Sequence, residues 1–364
     1  MTERMPQTAP PAGAADLANL DALRALAVTL VLLDHILETV SSLHPRLQFH
    51  PYDWGMGRLG VLLFFVHTSL VLNFSMVRLR SSGWELLRSF YTRRAFRLYP
   101  LSIVCVLLVI ALGVPVMPWL HYAWQGWGNA GANLTLTMNL LLTHPVLGPL
   151  WSLPIEVQMY LVLPLIFMLL GPGRNIALAA GLWIAAICVA AVQPALSDRL
   201  NVLGFAPYFM AGVLAFCLTG RWRPRLPAFL WLPFLVGLVC AYLSVQAHAG
   251  GIYSSRLQWG FCLLVGVLLP FFRDSRQDLL NLLSHTIAKY SYGIYLFHCI
   301  ALWAAFFAIP GSSEPVRWLL ATGILAGAAV AGYHWIEEPA IRLGARLAKR
   351  LSRSSAQAAA APAT

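Results

Sequence analysis

The sequence predicts an all-α integral membrane protein, a bundle of about ten transmembrane helices with both termini cytoplasmic. Three observations lead there. Hydrophobic residues make up 59% of the 364-residue chain and charged residues 11%, which is too little polar surface to cover a soluble domain. Apolar stretches of about 20 residues, the length that crosses a hydrocarbon core, recur along the chain. With the N-terminus inside, nearly all of the 25 Lys and Arg residues fall on one side. That side collects Arg4, the cluster from Arg78 to Arg97, Arg174, Arg221, Arg223, Arg225, Arg273, Arg276, Lys289 and the tail from Arg342 to Arg353. The other keeps Arg46, Arg58, Arg199, Arg256 and Arg317. Cationic loops are retained in the cytoplasm during insertion, so the split supports both the span count and the orientation.

The expected spans lie near residues 17–40, 59–79, 97–117, 151–171, 175–194, 201–219, 228–247, 256–272, 286–308 and 316–336. Each is read as a helix because lipid cannot satisfy open backbone hydrogen bonds, and the segments are about twice the length of barrel strands. The first stretch lacks a basic leader and a small-residue cleavage site, so it is expected to be a retained span. Residues 1–16 are low-complexity Ala and Pro and read as disordered, 17–340 form the transmembrane domain, and 341–364 form a basic, then disordered, cytoplasmic tail. No internal repeat of the transporter kind is visible.

The formal charge of +11 does not imply nucleic acid, because the basic residues sit in short loops beside spans, where anionic lipid is the natural partner. The six cysteines fall singly within spans without a CxxC pair, and read as small apolar packing residues. No HExxH or paired Cys/His spacing occurs, so no metal is expected.

Charge inside the spans is the functional signal, since ionisable groups in lipid are costly and usually line a pathway. The first span, NLDALRALAVTLVLLDHILE, carries Asp21, Arg24, Asp34, His35 and Glu38. Arg24 and His35 are eleven positions apart, so they share a face and stand roughly 16 Å apart along the axis. Glu38, one turn beyond His35, could hold a ring N–H and fix the tautomer. A second cluster, FYTRRAFRLYP, brings Arg93, Arg94 and Arg97 to the start of the third span, where guanidinium forks can grip phosphate oxygens or simply meet lipid headgroups. A third, LWSLPIEVQMYLVLP, contributes Trp151, Ser152, Glu156, Gln158 and Tyr160. A carboxylate this deep requires an internal partner such as Arg24, Arg58, His35 or a substrate hydroxyl. The uncharged loop 111–150, with Trp119, Trp124, Trp127, His121, Asn129, Asn133 and His144, could stack on a sugar or lie in the interface.

In this order the clusters resemble the acyltransferase type 3 family of ten-span membrane O-acyltransferases, over nearly the whole chain. The likeness rests on LDALRALAVTLVLLDH, GRLGVLLFFVHTSLVL, FYTRRAFRLYP, LWSLPIEVQMY, KYSYGIYLFH and the closing WIEEP. The resemblance implies that His35 and Arg24 match the catalytic histidine and its motif arginine, Arg94 and Arg97 the paired arginines, and Glu156 the glutamate after WSL. Tyr292, Tyr295 and His298 match the SYGIYLxH helix. It implies a transferase that moves a short acyl group, acetyl first among them, from acyl-CoA as donor substrate, with no bound cofactor. The acceptor would be a hydroxyl of a glycan or other polyhydroxylated molecule. Family acceptors include surface polysaccharides, periplasmic glucans, lipid-linked sugars and small secondary metabolites.

Under that reading His35 acts as general base or acyl carrier, Glu38 orients it, and Arg24 stabilises the thioester end or a buried carboxylate. Glu156 positions the acceptor or relays a proton. Arg93, Arg94 and Arg97 meet the CoA phosphates, while Trp151, Ser152, Tyr292, His298 and His67 face the acceptor. One departure stands out: where such proteins commonly read FFVLSGF, this chain reads FFVHTSL, which loses a close-approach glycine and adds His67, Thr68 and Ser69. Two lysines against 23 arginines suggest a GC-rich bacterial genome and hence an inner membrane. The rival from another class is a carrier or flippase that uses the same buried charges as a proton or substrate pathway.

Overall fold

The computed structural model describes residues 18–47, 55–122, 124–197, 201–221, 224–248, 255–275, 277–309 and 311–360. The terminal segment 1–16, residues 361–364, and Arg4, Arg199, Arg223 and Arg276 of the charge split lie outside the described residues. The chain is helical nearly throughout: α1 (Ala18–Leu43), α2 (Met56–Leu79), α3 (Gly83–Leu112), α4 (Gly126–Leu134), α5 (Ser152–Leu170), α6 (Ile176–Leu196), α7 (Val202–Leu218), α8 (Trp231–His248), α9 (Ser255–Leu268), α10 (Asp278–Trp303), α11 (Glu314–Gly332) and α12 (Glu338–Ala360). A two-residue hairpin, β1 (Val116–Met117) with β2 (Leu120–His121), lies between α3 and α4.

Among the described residues, seven helical segments are long and apolar enough to cross a membrane: Met56–Leu79, Gly83–Leu112, Gly148–Leu170, Ile176–Leu196, Ala228–His248, Asp278–Ala308 and Glu314–Leu351. Val202–Leu218 and Ser255–Phe271 are apolar but shorter, and the charge-bearing α1 is not among the seven. The helices differ in how much protein surrounds them. Of the apolar window, 72% is buried in α2 and 17% in α6, so α2 runs through the middle of the bundle while α6 presents most of its surface outward.

Two glycines let helices approach α2 closely. A Cβ on Gly60 would stand 2.5 Å from the Ala27 carbonyl oxygen of α1, and one on Gly212 of α7 would stand 2.2 Å from the Val66 carbonyl oxygen. Backbones this near exclude any side chain. The second contact falls on FFVHTSL itself, where Ser69 Cβ also lies 2.9 Å from that point. The close approach expected from a glycine on α2 is therefore supplied from the opposite helix.

Two elements differ from the sequence expectation. The third span was expected from residue 97, but α3 begins at Gly83, because Leu86 and Phe90 continue the buried stripe one and two turns before Arg94. The arginine cluster thus lies within α3, after about three helical turns, and not in a loop before it. After residue 332, α11 passes through a π-helical turn, Tyr333–Glu337, into α12, so WIEEP joins two collinear stretches. A π-turn widens the helix and re-aims its side chains. Here it delivers Glu337, 1% exposed, into the bundle.

Candidate active site

Three cavities lie in file along α1 and share walls. The inner chamber is lined by Arg24, His67, Thr68, Arg94, Arg97 and Tyr160, with Phe64, Glu156 and Tyr292 between it and the next. The middle chamber adds Val28, Gly60, Ser152 and Ser291 to those three. Val31, Val61 and Tyr295 then divide it from the outer chamber, which contains Asp34, His35, Glu38, Arg58 and Trp151. Arg24 and His35, on one face of α1 as their spacing requires, therefore stand at opposite ends of a single path. The outer chamber is the roomiest of the three, with a cavity volume of about 340 Å³ against about 30 and 50 Å³ for the middle and inner ones.

At the inner end each arginine has a different hold. Arg24 donates from Nε to Ser291 Oγ at 2.6 Å and lies 5.2 Å from the Phe64 ring centroid. Arg97 forms an ion pair with Glu337. Arg93 donates to Ser89 Oγ one turn earlier at 3.4 Å. Arg94 Nε is buried without a hydrogen-bond partner, and its guanidinium lies 5.9 Å from the Phe90 ring centroid. Glu156, 5% exposed, accepts from Tyr160 OH and lines both the inner and middle chambers, so its negative charge sits beside the arginines. His67 is in this inner group, 3% exposed, with Nδ1 unpartnered. Its side chain is far along the path from His35.

The middle of the path is lined by hydroxyls. Ser152 Oγ is 2.7 Å from Tyr295 OH, which donates to the Pro149 carbonyl. Tyr292 OH donates to the Leu98 carbonyl at 2.7 Å and ties α10 to α3.

At the outer end, His35 Nδ1 lies 2.9 Å from the Val31 carbonyl oxygen. A carbonyl only accepts, so Nδ1 carries the proton and Nε2 keeps its lone pair. Glu38 shares the chamber, but no hydrogen bond joins it to the ring among the described residues; the backbone fixes the tautomer. His298 repeats the arrangement, donating from Nδ1 to the Tyr295 carbonyl at 2.7 Å with Nε2 unpartnered. The two imidazoles meet edge to face with centroids 4.8 Å apart, and Trp119 of the β1–β2 hairpin lies 5.3 Å from His35. Potential ligand atoms of His35, His298 and Cys299 lie within 4.8 Å of one another. Sequence spacing could not foretell that trio, because α1 and α10 are paired only by the fold.

The residues expected to face the acceptor do not form one cluster. Trp151 lines the outer chamber, Ser152 the middle, Tyr292 the inner and middle, and His67 the inner, while His298 stands against His35. Ser291 and Glu337 are additional contacts that the motifs left without a role, and Trp119 of the aromatic loop is brought against His35. Of the loop amides, Asn133 is fully engaged within the loop, donating to the Asn129 and His144 carbonyls and accepting from Val146 N–H.

A family model described as an acyltransferase domain, that of acyltransferase type 3, matches residues 17–334. The chain belongs to this family. It is an acyltransferase, and its long apolar helices make it a multi-pass membrane protein. The protein named Acyltransferase MdmB from Streptomyces mycarofaciens is 26% identical over 327 residues, covering 79% of this chain and 82% of that one. Regulator of hypoxia-inducible factor 1 from Caenorhabditis elegans is 27% identical over 263 residues, covering 63% of this acyltransferase and 51% of the relative, about half its length. No solved structure matches the chain.

Proposed function

We propose that this acyltransferase moves a short acyl group, acetyl first among them, from acyl-CoA to a hydroxyl of a glycan or other polyhydroxylated acceptor. The observation that carries the reading is the file of adjoining chambers from Arg94, whose Nε has no hydrogen-bond partner, to the His35 imidazole. Phosphate is the natural ligand of buried guanidinium groups, and an imidazole with a free Nε2 is a natural base. The thioester end of the donor extends from the inner chamber past Ser152 and Tyr295, while the acceptor occupies the larger outer chamber.

His35 Nε2 takes the acceptor's hydroxyl proton as the oxygen attacks the thioester carbonyl. The tetrahedral intermediate then expels the CoA thiolate, which recovers the proton from the imidazolium. An acyl-histidine route would use the same Nε2 as nucleophile. Arg94 meets the anionic donor, with Arg93 beside it. Arg97 is held by Glu337 and sets the wall of the chamber. Glu156 balances the arginine charge, and Glu38 and Asp34 make the outer chamber acidic.

In this reading the seven long helices, the two shorter ones and α1 make about ten spans of a domain covering residues 17–340, with both termini cytoplasmic in a bacterial inner membrane. Label transfer from acetyl-CoA by detergent-purified protein to a panel of sugars tests the reading. Transfer that vanishes in His35→Ala supports it, and full transfer by that variant overturns it.

A further inference from the structure

A fourth cavity opens one to two helical turns beyond the inner chamber, at the C-terminal end of α2 and the N-terminal end of α3. It has a cavity volume of about 630 Å³ and is walled by Arg80, Ser81 and Ser82 of the α2–α3 turn, Phe167 of α5, Arg174 of the α5–α6 loop and Phe216 of α7. It lies on the same stripes as the inner chamber. On α2, Leu72 of the inner chamber precedes Met76 of this one by four residues. On α3, Arg94 and Leu86 are eight apart with Phe90 between. On α5, Tyr160 and Phe167 are seven apart. Spacings of four, seven and eight keep one helical face, so on three helices the face that lines the inner chamber also lines this cavity, roughly 12 Å further along.

Both arginines of this cavity are held in an unusual backbone state. Arg80 has φ 51° and Arg174 φ 47°, two of the four non-glycine residues with positive φ among the described residues. A side chain is disfavoured there, and helix C-termini of this geometry usually carry glycine. Arg80 caps α2, and its side chain has no hydrogen bond or ion pair among the described residues. Arg174 lies 4.2 Å from the Phe216 ring centroid and donates from one terminal nitrogen to the Thr219 carbonyl, which orients its remaining N–H groups. Ser81 Oγ is buried without a partner. Two arginines of strained backbone that line one open volume, one of them without a side-chain partner among the described residues, describe a phosphate site.

Resting on the proposed donor, we infer that this vestibule takes the 3′-phosphorylated nucleotide end of acyl-CoA, with Arg80 and Arg174 on the 3′-phosphate. The pantetheine arm then runs along that shared face towards Arg94 and the inner chamber. The spans agree with this placement. Met76 and Val61 are fifteen residues apart on α2, which sets the vestibule roughly 23 Å from the outer chamber, within reach of an extended CoA thioester.

The test compares acetyl-CoA with acetyl-dephospho-CoA, which lacks only the 3′-phosphate, in wild type, Arg80→Gly and Arg174→Ala. Each protein is measured in nanodiscs of phosphatidylcholine and of phosphatidylcholine with phosphatidylglycerol. Wild type is expected to favour acetyl-CoA by about tenfold or more in KM, as for a charge-assisted contact. In both variants that preference shrinks towards one while kcat holds. Arg80→Gly also keeps or raises the thermal midpoint, because glycine accepts the positive φ. An undiminished preference in both variants overturns the inference. So does a stimulation by phosphatidylglycerol that the variants abolish while the preference persists, since a lipid headgroup would then hold the site. Wild type that transfers acetyl but ignores the 3′-phosphate sinks the vestibule alone, whereas wild type that transfers nothing from either thioester sinks the donor reading with it.

Discussion

A lone pair on His35 Nε2 follows from one hydrogen bond to the Val31 carbonyl in the preceding turn of its own helix. That bond is local, so the tautomer survives changes elsewhere in the outer chamber. Glu38→Gln is accordingly expected to leave transfer within about threefold of wild type, whereas His35→Ala should lower kcat/KM by about 10²–10⁴, the usual worth of a positioned base. Steady-state kinetics on both variants checks this. Arg97 and Glu337 behave differently, because the carboxylate is buried and its Oε2 already lacks a partner. Removing either charge alone is expected to cost about 3–5 kcal/mol of stability, and Arg97→Met with Glu337→Leu together less than the sum. A double-mutant cycle on thermal or denaturant unfolding reads that coupling. The sequence made His35, Arg24 and Glu156 visible because charge in an apolar helix has few structural excuses. It hid Ser291 and Glu337, since a serine in a helix and a carboxylate near a terminus are ordinary until the fold brings Arg24 and Arg97 to them.

Helix boundaries were legible to within a few residues where apolar composition changes abruptly, as at both ends of α2 and α5. They failed where an amphipathic stretch leads into an apolar one, as in α3, whose first turns read as a loop because of their arginines. The π-turn at Tyr333–Glu337 has no composition signal, and the ion pair of Glu337 with Arg97 becomes visible only when the fold brings α3 beside it. Among the helix contacts, α2 against α1 and α7 is the most exacting. Gly60→Val or Gly212→Val would force the backbones apart, and each is expected to destabilise the protein by about 1–3 kcal/mol or more. Thermal unfolding in detergent measures this, with Gly323→Val, where a Cβ meets nothing within 4 Å, as the control. The hairpin β1–β2 makes a separate claim through Trp119. Trp119→Ala is expected to raise the KM for acceptor by up to about tenfold while leaving the KM for acyl-CoA unchanged, because the ring packs against His35, which lines the outer chamber. Bisubstrate kinetics separates the two constants.

At the scale of the whole molecule, the bundle holds two kinds of chemistry apart and joins them by a narrow passage. Arg24, Arg94 and Arg97 gather at one end with His67 and Glu156, while His35, Asp34 and Glu38 stand at the other with Arg58, and hydroxyls lie between. The charge split along the sequence anticipated that polarity, but the passage itself is a property of side chains from five helices and could not be read from spacing. Val61 stands in the wall between the middle and outer chambers, 6% exposed, and lies on no hydrogen bond. The most direct measurement is therefore acetyl-CoA binding and label transfer by the same preparation of wild type, Val61→Ala and Val61→Trp, each shown to be folded by its thermal transition. Blocking the passage with tryptophan is predicted to leave acetyl-CoA binding within about threefold of wild type and abolish transfer, while alanine preserves both. Transfer at the wild-type rate by folded Val61→Trp would contradict the passage and, with it, the account of how donor and base are brought together.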